Sequence, residues 1–186
     1  MFTFEGIDIS WLGHDGFRFE KGPLRVYIDP FKLSDAAVKP ATPVLITHDH
    51  FDHCSVEDLR KIVNQKTTVV FPYECLSVLS KLQPGETVPI AAGETKRVQG
   101  VTIPAVAAYN TDKYRDPATK AVVHPKDDGK LGYVLDMGVK IYHAGDSDET
   151  PEMDAVKCDI ALLPVSGTYL MTAEQAAAAA KKLASK

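Results

Sequence analysis

No apolar run in this chain is long, and each breaks on a turn signal, which restricts the fold to short strands and helices packed against one another. Ile7 to Leu12 stops at Gly13, and Gly16-Phe17-Arg18-Phe19 stops before Lys21-Gly22-Pro23. Leu24 to Ile28 ends at Asp29-Pro30, and Val44-Leu45-Ile46 ends at Thr47-His48. β-Branched and aromatic residues dominate these runs, so they read as strands, the last two as buried ones. Ser55 with Asp58 three positions on has the form of a helix N-cap, and Val56, Leu59, Ile62 and Val63 keep a helical period. Further strands are expected at Thr68 to Phe71 and around Val88 and Val101, with a short helix from Glu74 to Leu82. The order is mixed α/β, and 186 residues is the length of one ordinary domain, expected to span 1–186.

The chain also resembles itself. Gly16-Phe17 and Gly22 recur at the same spacing as Gly132-Tyr133 and Gly138, each set framing a hairpin. The second strand of each hairpin, Leu24 to Ile28 or Val139 to Tyr142, runs toward an aspartate, Asp29 or Asp146. Either a duplication or the shared grammar of hairpins accounts for the match. Ile160 to Leu163 reads as a last strand, followed by Thr172 capping an alanine-rich helix that runs to the end, with Gln175 in the capping-box position.

His48-Asp49-His50-Phe51-Asp52-His53 places three imidazoles and two carboxylates within six positions. The pattern H-x-H-x-D-H arises by chance only ~0.0005 times in a chain of this composition. So dense a ligand set suits a divalent cation and little else. His48 and His50, two apart in extended geometry, project to one side, while Asp52 and His53 turn toward a neighbouring position. Two adjacent metal sites are expected, which in hydrolases lie ~3.5–4 Å apart. Asp29, His48 and Asp146 each fall at or just past the C-terminal end of an apolar strand, the edge at which sites form in open α/β sheets. Asp146, in His143-Ala144-Gly145-Asp146, is the candidate bridge between two ions.

Composition narrows the partners. A net charge of −4 and short basic pairs argue against nucleic acid, whose phosphates need clustered Lys and Arg. No apolar run approaches the ~18 residues needed to span a bilayer, and the N-terminus lacks the marks of a signal peptide. No membrane partner and a cytoplasmic location are therefore expected. Cys54, Cys75 and Cys158 are odd in number and lack C-x-x-C spacing, so neither a disulfide framework nor a thiolate zinc ribbon is supported. Cys54 reads as a small buried residue at a helix start. A small-molecule substrate is expected, with homo-oligomerisation open.

Read in order, Trp11-Leu12-Gly13-His14, Tyr27-Ile28-Asp29-Pro30-Phe31, Ile46 to His53, Gly132-Tyr133-Val134, Ile141 to Asp146 and Leu162-Leu163-Pro164-Val165 resemble the successive blocks of the metallo-β-lactamase superfamily, nearest to its lactonase-like branch. The resemblance implies a four-layer αββα sandwich. It assigns His48 and His50 to a first ion, Asp52 and His53 to a second, Asp146 to both, and Asp29 to orienting the ligand loop. It implies zinc, with manganese or iron as alternatives, and one or two ions. Two departures stand out. Where the family carries a further first-site histidine the chain reads Ala107-Ala108-Tyr109-Asn110, so His124 is the candidate replacement and Asn110 a neighbour of the site. No histidine follows Asp146 to fill the last second-site position, and the family's last strand is expected to be missing. A further segment, a partner chain or a weak or absent second ion are the alternatives.

His14 is a candidate substrate contact or a structural histidine, and His143 a neighbour of the Asp146 loop. Asp52 is the candidate catalytic carboxylate, able to hold the nucleophile or take its proton. Asn110 to Lys130, with Lys113, Arg115, Lys120, Lys126 and Lys130, reads either as a mobile basic loop suited to an anionic substrate or as a solvated surface loop. The expected activity is metal-dependent hydrolysis of a small ester, lactone or phosphoester. The rivals are a non-catalytic or regulatory metal-binding protein and an iron-dependent oxidoreductase.

Overall fold

The computed structural model describes residues 1–184, and the last two positions of the expected C-terminal helix lie outside the described residues. The chain divides into two compact units, Met1–Ile90 and the chain from Ala91 onward, each built on one sheet.

The first unit carries seven strands in sequential order, β1 (Phe2–Phe4), β2 (Ile7–Gly13), β3 (Gly16–Lys21), β4 (Leu24–Ile28), β5 (Pro43–Leu45), β6 (Thr68–Phe71) and β7 (Glu86–Pro89). The first four form an antiparallel meander, and β4 through β7 are parallel. The change falls where two-residue turns give way to helical crossovers, as parallel pairing requires. Alternation sorts the parallel strands into two buried faces. Tyr27, Val44, Ile46, Val69 and Phe71 pack with Leu59 and Ile62 of α1 (Val56–Ile62) and Leu79 of α2 (Leu76–Leu79), while Val26, Ile28, Leu45 and Val70 point the other way and are equally buried. Each large side chain buried here contributes about 1.5–3 kcal/mol.

Helix α1 begins where the sequence places it. Ser55 Oγ accepts the Asp58 N–H at 3.3 Å, and the Asp58 carboxylate accepts Ser55 Oγ at 2.8 Å and the backbone N–H groups of Lys32 and Leu33 at 2.8 and 2.9 Å. Ser55 thus caps the helix, and Asp58 ties that cap to the loop after β4. The helix expected over 74–82 is shorter: a 3-10 turn at Tyr73–Cys75 leads into α2, which ends at Leu79. The Ser80 hydroxyl donates to the Ser77 carbonyl at 2.8 Å, a local bond that competes with continued helix, and Pro84 follows.

The second unit carries β8 (Thr95–Val98), β9 (Val101–Ala107), β12 (Leu131–Asp136), β13 (Lys140–His143) and β14 (Ile160–Leu162) in one sheet of order β14-β13-β12-β9-β8, with the separate hairpin β10 (Tyr114–Asp116) and β11 (Ala121–Val122). Val134, Tyr142 and Ala144 pack with Met153 of the 3-10 turn Pro151–Ala155, with Val156 just after it and with Leu183 of α3 (Ala173–Ala184). Alanines at 176 and 179 bring α3 close to Met171 and Leu163. A reciprocal capping box starts α3, with Thr172 N–H to Gln175 Oε1 at 2.8 Å and Gln175 N–H to Thr172 Oγ1 at 3.2 Å. Among the described residues no helix is long and apolar enough to cross a membrane.

The stretch from Asn110 to Lys130 is structured. Asp116 binds Ala118 N–H and Thr119 Oγ1 to close the β10–β11 hairpin. Lys113 is held by Asp112, by Gln175 Oε1 at 3.0 Å and by Asp148 at 3.5 Å, Lys126 binds Glu152 at 2.6 Å, and buried Lys130 lies 3.7 Å from Asp128. Three of the five cations are therefore paired with carboxylates, and Arg115, Lys120 and Lys126 are exposed.

Candidate metal centre

In the first unit, the parallel register Ile28↔Leu45 sets Asp29 beside the chain that leaves β5. Asp29 takes a left-handed conformation (φ 43°), donates its N–H to Leu45 O at 3.1 Å and is fully buried. Its Oδ1 accepts Thr47 N–H at 2.8 Å; its Oδ2 accepts the Thr47 hydroxyl and His53 Nδ1 at 2.8 Å. Thr47 Oγ1 in turn lies 3.0 Å from His48 Nδ1.

These contacts fix the tautomers. A carboxylate only accepts, so His53 carries its proton on Nδ1 and turns Nε2 toward the ligand position. The Thr47 hydroxyl has one proton and gives it to Asp29, so its lone pair accepts from His48 Nδ1 and again leaves Nε2 as the ligand atom. A single buried carboxylate orients two imidazoles, which is how proteins prepare histidine for a metal. The His48 and His53 rings lie 4.0 Å apart, and the exposed His50 ring is 4.5 Å from His48 and steeply inclined to it at 73°. His53 and Cys54 donate their backbone N–H groups to His50 O, making the turn that sends Asp52 and His53 back toward this cluster. Cys54 is buried in the core beneath, the structural role expected of it.

His14, also left-handed (φ 51°), has its carbonyl held by Trp11 Nε1 at 2.9 Å and places Nε2 3.3 Å from Asp52 Oδ2. Its ring meets His53 edge-on at 5.0 Å and Phe31 at 5.6 Å, and Phe31 meets Phe51 at 5.9 Å. Trp11 and Phe51 are 67% and 76% exposed, so an aromatic rim stands beside these ligands.

In the second unit, His124 is buried and its Nε2 lies 3.6 Å from Asp146 Oδ2. Asn110 secures it: Asn110 Oδ1 accepts His124 N–H at 2.8 Å, and Asn110 N–H donates to His124 O at 2.8 Å. Asn110 Nδ2 donates to Tyr169 O at 2.9 Å. Asn110 thus holds the backbone of His124 in place. His143 is buried and its Nδ1 accepts Gly145 N–H at 3.2 Å, shaping the turn before Asp146. Sequence reasoning missed Thr47, which links Asp29 to His48. Its signal is a hydroxyl residue directly between a buried strand and the first ligand.

The site residues therefore form two sets, His14, Asp29, His48, His50, Asp52 and His53 in one unit, and Asn110, His124, His143 and Asp146 in the other. Three nitrogen and oxygen groups at ligand spacing occur within the first unit alone, in Asp29, His48 and His53 and again in His14, Asp52 and His53. Such donor sets fit a borderline divalent ion.

The model of a beta-lactamase superfamily domain matches residues 8–186. A UPF0173 metal-dependent hydrolase of Thermoplasma acidophilum is 36% identical over 96% of this chain and 80% of its own length. A solved structure from Parabacteroides distasonis, named for a metal-dependent hydrolase, is 30% identical with a TM-score of 0.78 over 95% of this chain and 77% of its own. Igni18, a metallo hydrolase of Ignicoccus hospitalis, shares the fold with a TM-score of 0.74 at 23% identity, covering 95% of this chain and 78% of that one. The chain belongs to the metallo-β-lactamase superfamily and has its fold, among relatives that are metal-dependent hydrolases.

Proposed function

We propose that this metal-dependent hydrolase acts on a small ester or lactone, in preference to a phosphoester. The resemblance assigns His48 and His50 to one ion, Asp52 and His53 to a second and Asp146 to both, and the reading adopts that assignment with His124 as the candidate replacement for the family's further first-site histidine. The observation that carries it is the relay from Asp29 through Thr47 and His53, which leaves both Nε2 atoms as ligand atoms. A divalent ion bound there supplies Lewis acidity and activates water near neutral pH.

The chain's own groups supply the rest. Asp52, half-buried beside His14, receives the proton of the attacking water on its carboxylate. Asp29 keeps the imidazoles oriented so that no ligand must reorganise during turnover. Trp11, Phe31 and Phe51 offer apolar, planar surface to the body of the substrate, and the pairing of Lys113, Lys126 and Lys130 with carboxylates favours a substrate without a phosphate.

The test is turnover of a panel of esters, lactones and phosphodiesters by protein loaded with zinc or manganese. Ester or lactone hydrolysis lost in Asp52→Ala supports the reading. Preferential phosphodiester cleavage, or zinc-loaded protein inert to the whole panel, would overturn the substrate assignment. Oxygen consumption by an iron-loaded sample would replace hydrolysis with oxidoreductase chemistry.

A further inference from the structure

We propose that His14 is a metal ligand, completing with Asp52 and His53 a three-ligand site for a divalent cation. The proposal rests on the metal-centre reading above and adds to it a residue that the family resemblance does not place on either ion.

Spacing is the first argument. His14 Nε2 and Asp52 Oδ2 are 3.3 Å apart. With bonds of about 2.0–2.1 Å, two ligand atoms of a tetrahedral zinc site are separated by about 3.3–3.4 Å. A direct N–H···O bond is commonest at about 2.9–3.0 Å. The 3.3 Å separation therefore matches the edge of a coordination tetrahedron better than the commonest hydrogen-bond length. One ligand atom from each of His14, Asp52 and His53 lies within 4.8 Å of the others.

Orientation is the second. His53 gives Nδ1 to Asp29 and so presents Nε2, and the His14 ring meets it at 77°. Backbone is the third. His14 holds a left-handed conformation that non-glycine residues adopt at a cost, and Trp11 Nε1 pins its carbonyl there. The tie from Trp11 fixes the turn from which the His14 ring projects toward Asp52. The His14 side chain is 41% exposed, so a fourth position on the ion opens to water and substrate, as a catalytic site requires.

The experiment is zinc stoichiometry and affinity, measured by metal analysis after dialysis against buffered zinc and by competition with a chromophoric chelator. The proteins are the whole chain, His14→Asn, His14→Asp and His48→Ala, each with a melting curve to show that it is folded. Asn tolerates the left-handed backbone but cannot replace the imidazole nitrogen. Asp tolerates it too and offers an oxygen ligand. The wild type is expected to bind two ions, His14→Asn to lose one or to weaken it by at least tenfold, and His14→Asp to recover much of the loss. If His14 only hydrogen-bonds Asp52, His14→Asp sets two carboxylates against each other and binds no better than His14→Asn, which overturns the proposal. Unchanged stoichiometry and affinity in His14→Asn overturn it as well and leave the metal centre standing. A wild type that takes up no zinc, indistinguishable from His48→Ala, overturns the metal-centre reading and this proposal together.

Discussion

Asp29→Asn is nearly isosteric, yet it inverts the hydrogen-bond logic of the first unit's ligands. If the amide oxygen keeps the place of Oδ1 and accepts Thr47 N–H, the amide NH2 faces both the Thr47 hydroxyl and His53 Nδ1. His53 must then accept on Nδ1 and carry its proton on Nε2, where the ion would bind. The Thr47 hydroxyl, now an acceptor from the amide, turns its own proton to His48 Nδ1 and drives the same inversion there. Flipping the amide sets its NH2 against Thr47 N–H at 2.8 Å, which is worse. A supporting group of this type is worth about 10–100-fold in metal affinity. Two ligands are affected at once, so the upper end is expected, close to 100-fold or about 2.8 kcal/mol. The metal-free protein should also lose about 1.5–3 kcal/mol, the worth of a hydrogen bond to a buried charged group. Zinc competition against a chromophoric chelator reads the first figure and chemical denaturation of the apo-protein the second. Affinity within threefold of wild type, with the apo-protein equally stable, would refute the relay.

Three further outcomes follow from other contacts. Gly132→Ala would set a Cβ 2.7 Å from Ala144 O and 2.8 Å from His143 O, backbone atoms that cannot step aside, so a loss of about 1–3 kcal/mol is expected; an unchanged melting temperature would sink the argument. Asn110→Ala leaves His124 N–H and Tyr169 O without their side-chain partner, and about a tenfold drop in zinc affinity is expected by chelator competition, with unaltered affinity as the contrary result. Burial raises the Asp58 pKa, but bonds from Lys61, Ser55 and the backbone of Leu33 and Lys32 outweigh it and hold the carboxyl below its ordinary value. Its stabilisation is therefore complete above about pH 4 and is lost as pH falls through the lowered folded value. Asp58→Asn should show a smaller loss of stability between neutral and acid pH, and an acid branch identical to wild type would contradict this.

Local grammar was the legible part of the sequence. Ser55 and Asp58, like Thr172 and Gln175, announce helix starts because capping chemistry is confined to three or four consecutive positions. Val44 to Ile46 reads as a buried strand because nothing in it is polar. The hexapeptide from His48 to His53 stands out because its ligands are adjacent in the chain. What escaped depends on partners far away. Thr47 gains its role only when the β4–β5 register brings Asp29 beside it, and Asn110 becomes a support for His124 only through a pairing across fourteen positions. The lysines at 113 and 126 suggested a basic loop because Asp148 and Glu152, which pair with them, lie far along the chain. Strand β1 and the β10–β11 hairpin are too short for periodicity to register.

The self-resemblance of the chain has a steric meaning. In the first unit a hairpin, β3–β4, is followed by a parallel strand, β5; in the second, β12–β13 is followed by parallel β14. The first strand of each hairpin opens with a glycine at the matching place. A Cβ on Gly16 would stand 2.9 Å from Asp29 O, as one on Gly132 would stand 2.7 Å from Ala144 O. In each case the glycine lets the outgoing strand pass against the backbone that has just left the returning one, and that backbone carries Asp29 in one unit and leads to Asp146 in the other. A side chain at either position would push the aspartate loop outward while leaving most of the sheet register intact. The two glycines should therefore share a phenotype, a modest cost in stability with a larger cost in metal affinity. Ordinary surface glycines such as Gly6 or Gly22, whose added Cβ meets nothing within 4 Å, should affect stability alone through their left-handed backbone.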